Sequence, residues 1–564
     1  MADTRRMVSE ALHVITHLAN GMCVDGVGDT KVRSLYLVNG LIAESIEPTA
    51  KIDANYDVRG KVLMAGGIDL HTHIGGGKVN IARLLLPELV LPKIESFDSH
   101  GIRQLSAPVP TTWETGLRYL EMGYTTCMEP AVLPANARQA HREMADIPWL
   151  DTGGYLLLGN DRMLLRWIAE GVSQEQINQY VAWMLKAHQC CGVKVVNAGG
   201  IDAFKFNQRH LDVDESHPVF PVTPRDILRA LAQAVDELRL AHPLHVHCSN
   251  LGVPGNIAST LKTLQAVEGR RIHLTHAQFH CYGTGGPHGF SSEAYQLAEY
   301  VNWNSHVTID IGQVLFGQTV TISGDTMHQF ANRNLARPRK VIFQDLECQA
   351  GCGVVPFRYK QDQYVHGLQW TIGLELCLRI LDPTRVFLTT DHPNGGPFTA
   401  YPHLIRLLTS YDFRMSIFER LHPDVQSSSS LPSLKREYTL EEIAQMTRRG
   451  PAKILGLQDR GTLESGKVAD VVVYDPSEKL DTMFSSPTMV FRHGELVYRD
   501  GQALKGSCKT TIVANPSVET SMNARLNREW PEQYGYNTDM VRIVDEELLS
   551  GGHRLKAATP LSSS

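Results

Sequence analysis

The chain is 564 residues long, 43% hydrophobic and 20% charged, with a net charge of −6. That length exceeds what one small core organises and calls for one large domain with a satellite, or for two domains. A mildly acidic chain with no basic patch excludes a nucleic-acid footprint.

No apolar run approaches the length of a bilayer span. The charged start, Met1 to Arg6, leads into no continuous apolar stretch of the secretory kind. Ten cysteines, Cys23, Cys127, Cys190, Cys191, Cys248, Cys281, Cys348, Cys352, Cys377 and Cys508, are scattered without disulfide-framework or iron–sulfur spacing. A reducing cytoplasm is the expected location, with no membrane and no nucleic acid as partner.

In chain order, residues 8–65 read as a small β unit, with strands over 12–18, 34–39, 41–46 and 61–64. Asn39-Gly40 supplies a hairpin turn. From residue 66 the texture changes. Apolar strand-like runs (124–128, 154–158, 192–197, 244–248, 271–276, 308–311 and 385–390) alternate with amphipathic stretches such as 174–188 and 225–240. About eight such units predict a closed (β/α)8 barrel over 66–438 in an α/β fold, and the first βα turn lacks the G-x-G-x-x-G of a dinucleotide-binding sheet.

Thr439 and Glu442 form a capping box that opens a helix, with Gly450 placed just past its end and Pro451 opening a second short turn. Short strands return over 461–475 and 489–498. Residues 439–510 therefore complete a composite β-sandwich domain built from both chain ends. Residues 511–564 are polar and irregular, and are expected to wrap a partner or to be disordered.

The chemistry gathers at strand ends, where a parallel barrel carries its catalytic groups. His71 and His73, in Gly66-Gly67-Ile68-Asp69-Leu70-His71-Thr72-His73, share one strand face and suit a metal. Lys194 lies in a strand expected to be buried on both faces, where a lone ammonium is costly. An ion pair is one solution; carbamylation, which converts the amine to a carboxylate able to bridge two cations, is the other. Either His245 or His247 can be a ligand, and His247 is expected because it lies nearer the strand end. His276 is read as a ligand, while alternation puts His273 on the opposite face as a structural residue. Asp391 can hold one metal and exchange a proton with bound water. His71, His73, Lys194, His247, His276 and Asp391 thus form a two-metal hydrolytic site, with zinc as the ion expected for such nitrogen and oxygen donors. Asn197, Asn250, Gln278, His280 and Asn394 are the candidate substrate contacts around the rim, and Cys248 and Cys281 are read as packing residues.

These residues, in this order, resemble the amidohydrolase superfamily. The return to the β domain at Gly461-Thr462-Leu463-Glu464-Ser465-Gly466-Lys467-Val468-Ala469-Asp470 is a further match. The narrower stretches 73–80, 250–256, 275–283 and 391–398 look like the A-subunit family of formylmethanofuran dehydrogenase and of the bacterial formyltransferase/hydrolase complex. The resemblance implies hydrolysis of N-formylmethanofuran to formate and methanofuran, or the reverse condensation. It also implies two zinc ions, a carbamylated lysine at Lys194, and a place within a multi-subunit cytoplasmic complex. Free use of cysteine and glutamine with moderate charge points to the bacterial setting.

The nearest rival is a stand-alone cyclic amidase of the dihydropyrimidinase or hydantoinase type. A scaffold subunit that merely kept the fold would have been free to lose any of the ligands.

Overall fold

The computed structural model describes residues 14–28, 30–89, 94–97, 103–106, 110–205, 211–322, 346–348, 352–504 and 509–561. Residues 8–13 and 505–508, at the ends of the expected β segments, lie outside them.

Five strands open the chain: β1 (Ile15–Cys23), β2 (Lys31–Val38), β3 (Leu41–Ala43), β4 (Ala54–Asp57) and β5 (Val62–Ala65). The Asn39-Gly40 hairpin is present, with Val38 facing Leu41 and both turn residues at positive φ, 51° and 83°. A two-residue turn of that hand matches the twist of its strands, and asparagine and glycine tolerate it best.

Eight parallel strands follow: β6 (Gly67–Asp69), β7 (Tyr124–Val132), β8 (Asp151–Leu157), β9 (Gly192–Val196), β10 (Leu244–His247), β11 (Ile272–Leu274), β12 (Val307–Asp310) and β13 (Val386–Phe387). Each pairs in parallel with the next. A bridge between Thr72 and His392, with His73 N–H donating to His392 O at 3.0 Å, joins the first strand's extension to the last and closes the ring. Val193, Val195, Leu244, Val246, Ile272, Leu274, Val307 and Ile309 belong to the large core shared with the surrounding helices. The intervening residues therefore face the barrel axis.

Four further strands, β14 (Val471–Tyr474), β15 (Met489–Arg492), β16 (Glu495–Arg499) and β17 (Gln502–Ala503), return to the first sheet. β14 pairs antiparallel with β5, Val471 opposite Ala65. The result is one continuous sheet of nine strands from both chain ends, with a core of its own around Leu18, Leu35, Leu63, Val471, Val473 and Phe491.

Two expectations are corrected. The helix capped by Thr439 does not stop at Gly450: it runs on through Gln445–Arg449 as a π turn and through Gly450–Ile454. Gly450 has helical φ, and a Cβ there would lie 2.8 Å from both Gln445 O and a Phe387 ring carbon. Its glycine serves close approach rather than termination.

Residues 511–561 are not an irregular tail. β18 (Lys509–Val513) pairs with the lower half of β8, at Thr152 and Gly153, and β19 (His553–Ala557) pairs with β18. Between them, helix Thr520–Tyr534 buries Met522, Leu526 and Trp530. The Trp530 ring lies 5.5 Å from Trp183, and Tyr534 Oη donates to Asp161 at 2.6 Å. The segment wraps its own barrel because those apolar residues, four apart, share one helical face.

Candidate metal centre

The barrel register puts Lys194, His245, His273 and Thr308 side by side in one inward-facing row. One strand step nearer the C-terminal mouth lie His247 and Asp310. His71 and His73 reach the same mouth from the extension of β6, and Asp391 from the turn after β13.

His71 Nε2 lies 2.9 Å and His73 Nε2 3.5 Å from Asp391 Oδ1. One atom each from His71, His276 and Asp391 falls within a mutual 4.8 Å, and so does one each from His247, His276 and His280. Two groups able to hold a metal therefore adjoin at His276, and a third, of His71, His245 and Asp310, lies beneath them. His276 Nδ1 is buried without a hydrogen-bond partner among the described residues, the condition of a nitrogen that suits a cation. His276 and Asp391 are both in the left-handed region, φ 34° and 49°, and so leave strand alternation to turn over the mouth. Gly312 makes room: a Cβ there would lie 2.3 Å from His276 Cβ.

Electrostatics fit a cation site. Burial favours the neutral carboxyl at Asp391, but the neighbouring rings of His276, His71 and His73 outweigh it and hold the group well below the ordinary carboxylate range. Burial likewise opposes a charged His73, yet Glu129 and Asp391 push it up to about 9. At Lys194 burial wins against Asp310, Asp391 and Glu129 and brings the ammonium down to about 8. Its Nζ donates to Thr275 Oγ1 at 3.3 Å. The mouth thus holds anionic, acceptor-rich atoms beside an amine that readily sheds its proton.

Below the mouth, His245 Nε2 is 3.0 Å from His71 Nδ1, and His245 Nδ1 is 2.9 Å from His242 Nε2. His247, not His245, stands with His276 and His280 at the mouth, its ring centroid 4.5 Å from that of His276. The expectation for His273 is corrected: it faces the barrel axis, its ring stacked 4.8 Å from His245 and its Nε2 3.1 Å from Asp310. It sits one layer too deep to join His276, which escapes the alternation through its own backbone conformation.

The rim candidates separate. His280 is fully buried, and its ring is 5.2 Å from His247 and 5.1 Å from His276, inside the cluster rather than on the rim. Gln278 donates to Gly312 O at 2.6 Å and accepts from Val314 N at 3.2 Å, so both ends of its amide brace the loop. Asn394 accepts from Ile322 N at 2.7 Å, and Asn250 donates to Ser259 Oγ at 2.9 Å. Asn197 and Asn250 turn their strands outward at positive φ, 49° and 64°. Cys248 and Cys281 are buried, and burial pushes both thiols up, Cys248 to about 12, in keeping with packing roles.

Three carboxylates of the site escape a reading of the sequence. Asp69 accepts from His71 N at 3.1 Å, from Tyr119 Oη at 2.7 Å and from Tyr401 Oη. Glu129 accepts from Ile74 N at 2.7 Å and Gly75 N at 3.0 Å, and its Oε1 is 3.0 Å from His73 Nδ1. Asp310 Oδ2 is 3.2 Å from His71 Nδ1. Asp310 ends the apolar run Val307-Thr308-Ile309-Asp310, the same strand-end signal that points to Asp391.

The amidohydrolase family profile matches residues 55–504. The A subunit of the formyltransferase/hydrolase complex Fhc of Methylorubrum extorquens is 40% identical over 538 residues, 94% of this chain and 97% of that protein. Protein FwdA of Methanocaldococcus jannaschii is 37% identical, over 94% of this chain and 96% of its own length. Among solved structures, a chain of the crystal structure of the FhcABCD complex from Methylorubrum extorquens with methylofuran superposes with a TM-score of 0.89 at 38% identity, covering 97% of this chain and all of that one. A barrel with strand-end histidines and a closing aspartate, a family profile over most of the sequence and relatives aligned nearly end to end agree: the protein belongs to the amidohydrolase family.

Proposed function

We propose that the chain is the hydrolytic A subunit of a cytoplasmic formyltransferase/hydrolase or formylmethanofuran dehydrogenase complex. In this reading it cleaves the formamide bond of an N-formylmethanofuran-type substrate to formate and the free amine, or runs the reverse condensation. The observation that carries the reading is the near end-to-end similarity to the Fhc protein of Methylorubrum extorquens, whose complex was crystallised with methylofuran.

Two zinc ions would suit the donor set of His71, His73, His247, His276, Asp391 and a carbamylated Lys194, with His280 close by. Ions so held supply an activated water and a Lewis acid for the formyl oxygen. The chain's own residues do the rest. Asp391, anionic at neutral pH, takes the proton of the attacking water on its carboxylate and returns it to the departing amine nitrogen. Glu129 and Asp310 hold the rings of His73 and His71 with Nε2 facing Asp391.

The test is to purify the native assembly, count its metals and identify its co-purifying subunits. Formate release from the formamide of methanofuran is then compared with opening of hydantoin and dihydrouracil. Formate release alone is expected. Ring opening without formamide cleavage, or less than one zinc per chain with no activity restored by added zinc, would overturn the proposal.

A further inference from the structure

Asp310 is fully buried and its two oxygens meet four groups. Oδ2 lies 3.2 Å from His71 Nδ1 and 3.1 Å from His273 Nε2. Oδ1 accepts from His276 N at 2.9 Å and from Thr389 Oγ1 at 2.7 Å. One carboxylate thus touches the side chain of one ligand-bearing segment, the backbone of a second, and the hydroxyl two residues before Asp391 in a third. Thr389 Oγ1 also accepts from Gly312 N at 3.0 Å, the glycine against which His276 packs.

A histidine can offer Nε2 to a cation only if its proton sits on Nδ1. His71 Nδ1 has two neighbours that can accept that proton, Asp310 Oδ2 and His245 Nε2. The imidazole can be either donor or acceptor, so it dictates nothing. An ionised carboxylate only accepts, so it fixes the tautomer.

Resting on the two-cation reading above, we propose that Asp310 is the positioning residue of the centre: it sets the tautomer of His71 and, through His276 N and Thr389, holds the left-handed turn that brings His276 over the mouth. In this reading Asp310 acts through His71 and His276, not on the substrate. It decides whether His71 and His276 can ligate together.

The test is Asp310→Asn in the full assembly, read by equilibrium zinc content and by the visible spectrum after cobalt substitution. The amide keeps the size of the side chain and one acceptor oxygen. Turned so that its oxygen still serves His276 N and Thr389, it presents N–H to His71 Nδ1, which must then accept, leaving the proton on Nε2. The expected result is retention of one cation, a 10- to 100-fold weaker hold on the other (the scale for losing such a supporting partner), and a changed cobalt spectrum. Wild-type zinc content and an unaltered spectrum in Asp310→Asn would overturn the assignment. His245→Phe, which removes the alternative acceptor and keeps a ring in its place, is expected to keep both cations; loss of one there overturns the assignment whether or not Asp310→Asn folds. A wild-type protein that binds no metal would instead remove the two-cation reading itself.

Discussion

The two ends of the barrel treat buried charge in opposite ways. At the floor, Asp151 opens β8 and is fully saturated. Arg460 reaches its Oδ2 at 2.6 Å, Arg492 its Oδ1 at 2.7 Å, and Thr510 N donates to Oδ1 at 2.9 Å. Arg492 comes from β15 and Thr510 from β18, so this cluster fastens the composite sheet and the C-terminal strands to the barrel. At the mouth, Asp391 faces imidazole nitrogens that converge on it, next to the unpartnered His276 Nδ1. At the mouth Asn197, Asn250, His276 and Asp391 stand at positive φ at or just beyond strand ends, as Trp149, Gln189, Arg239 and Glu268 do in the loops that enter strands at the floor. Such conformations cost on the order of 1–3 kcal/mol each for residues other than glycine and persist where surrounding structure imposes them. Charge that answers charge builds a joint, whereas donors aimed at one common point build a binding site.

Substitutions at the two carboxylates should break that contrast cleanly. Asp391→Asn is expected to lower the rate of formate release by about 10²- to 10⁴-fold, the usual share of a positioned acid–base group, while leaving thermal unfolding nearly unchanged. Asp151→Asn should do the reverse. Removing the acid strands two buried guanidinium groups, a loss of about 3–5 kcal/mol that denaturant unfolding would register, with activity per folded molecule retained. The pH dependence carries the same signature. The arginines outweigh burial and hold Asp151 well below its ordinary value of 3.8. Its contribution is therefore fully present above about pH 4 and lost as pH falls through the depressed folded value. The gap in stability between wild type and Asp151→Asn should narrow on acidification below pH 4; a gap that stays constant would deny the ion cluster its role.

Much of the mouth and little of the floor is legible in the sequence. Apolar runs ending in His71, His73, His247, His276 and Asp391 announce strand ends, because a strand buried in a parallel barrel carries its reactive groups where it emerges. Asp310 and Glu129 belong to similar runs but do not stand out, since a residue that supports a ligand leaves no spacing motif of its own. Strict alternation misplaces His273 because it is carried through to His276, where the backbone turns left-handed. The floor pairs Asp151 with residues more than 300 positions away, Arg460 and Arg492, and no local pattern encodes such a partner. In the C-terminal segment the stripe of Met522, Leu526 and Trp530 is present in the sequence but masked by the polar residues between.

A smaller effect should come from the space between mouth residues. Gly312→Ala puts a methyl against His276 Cβ at a φ of 63° that disfavours any side chain. The fold should lose about 1–3 kcal/mol, and His276 should be displaced from both metal-competent groups, so zinc affinity falls while Asp151 and its arginines are untouched. Unchanged zinc affinity in Gly312→Ala would show that the close approach has no bearing on the centre.

The mildest effect concerns Lys194, placed among the mouth's acids rather than paired as at the floor. Carbon dioxide adds only to the neutral amine, forming an N–C bond and releasing one proton. With the ammonium brought down to about 8 by burial, the neutral fraction rises from about one-tenth at pH 7 to about nine-tenths at pH 9. Metal-stripped protein given zinc and a fixed concentration of dissolved carbon dioxide should therefore recover activity about tenfold faster at pH 9 than at pH 7, and level off above. A lysine at its ordinary value of 10.5 would instead gain about a hundredfold over the same interval and continue to climb. A recovery rate independent of pH, or one that follows the ordinary lysine, would show that burial in the barrel does not prepare Lys194 for the modification.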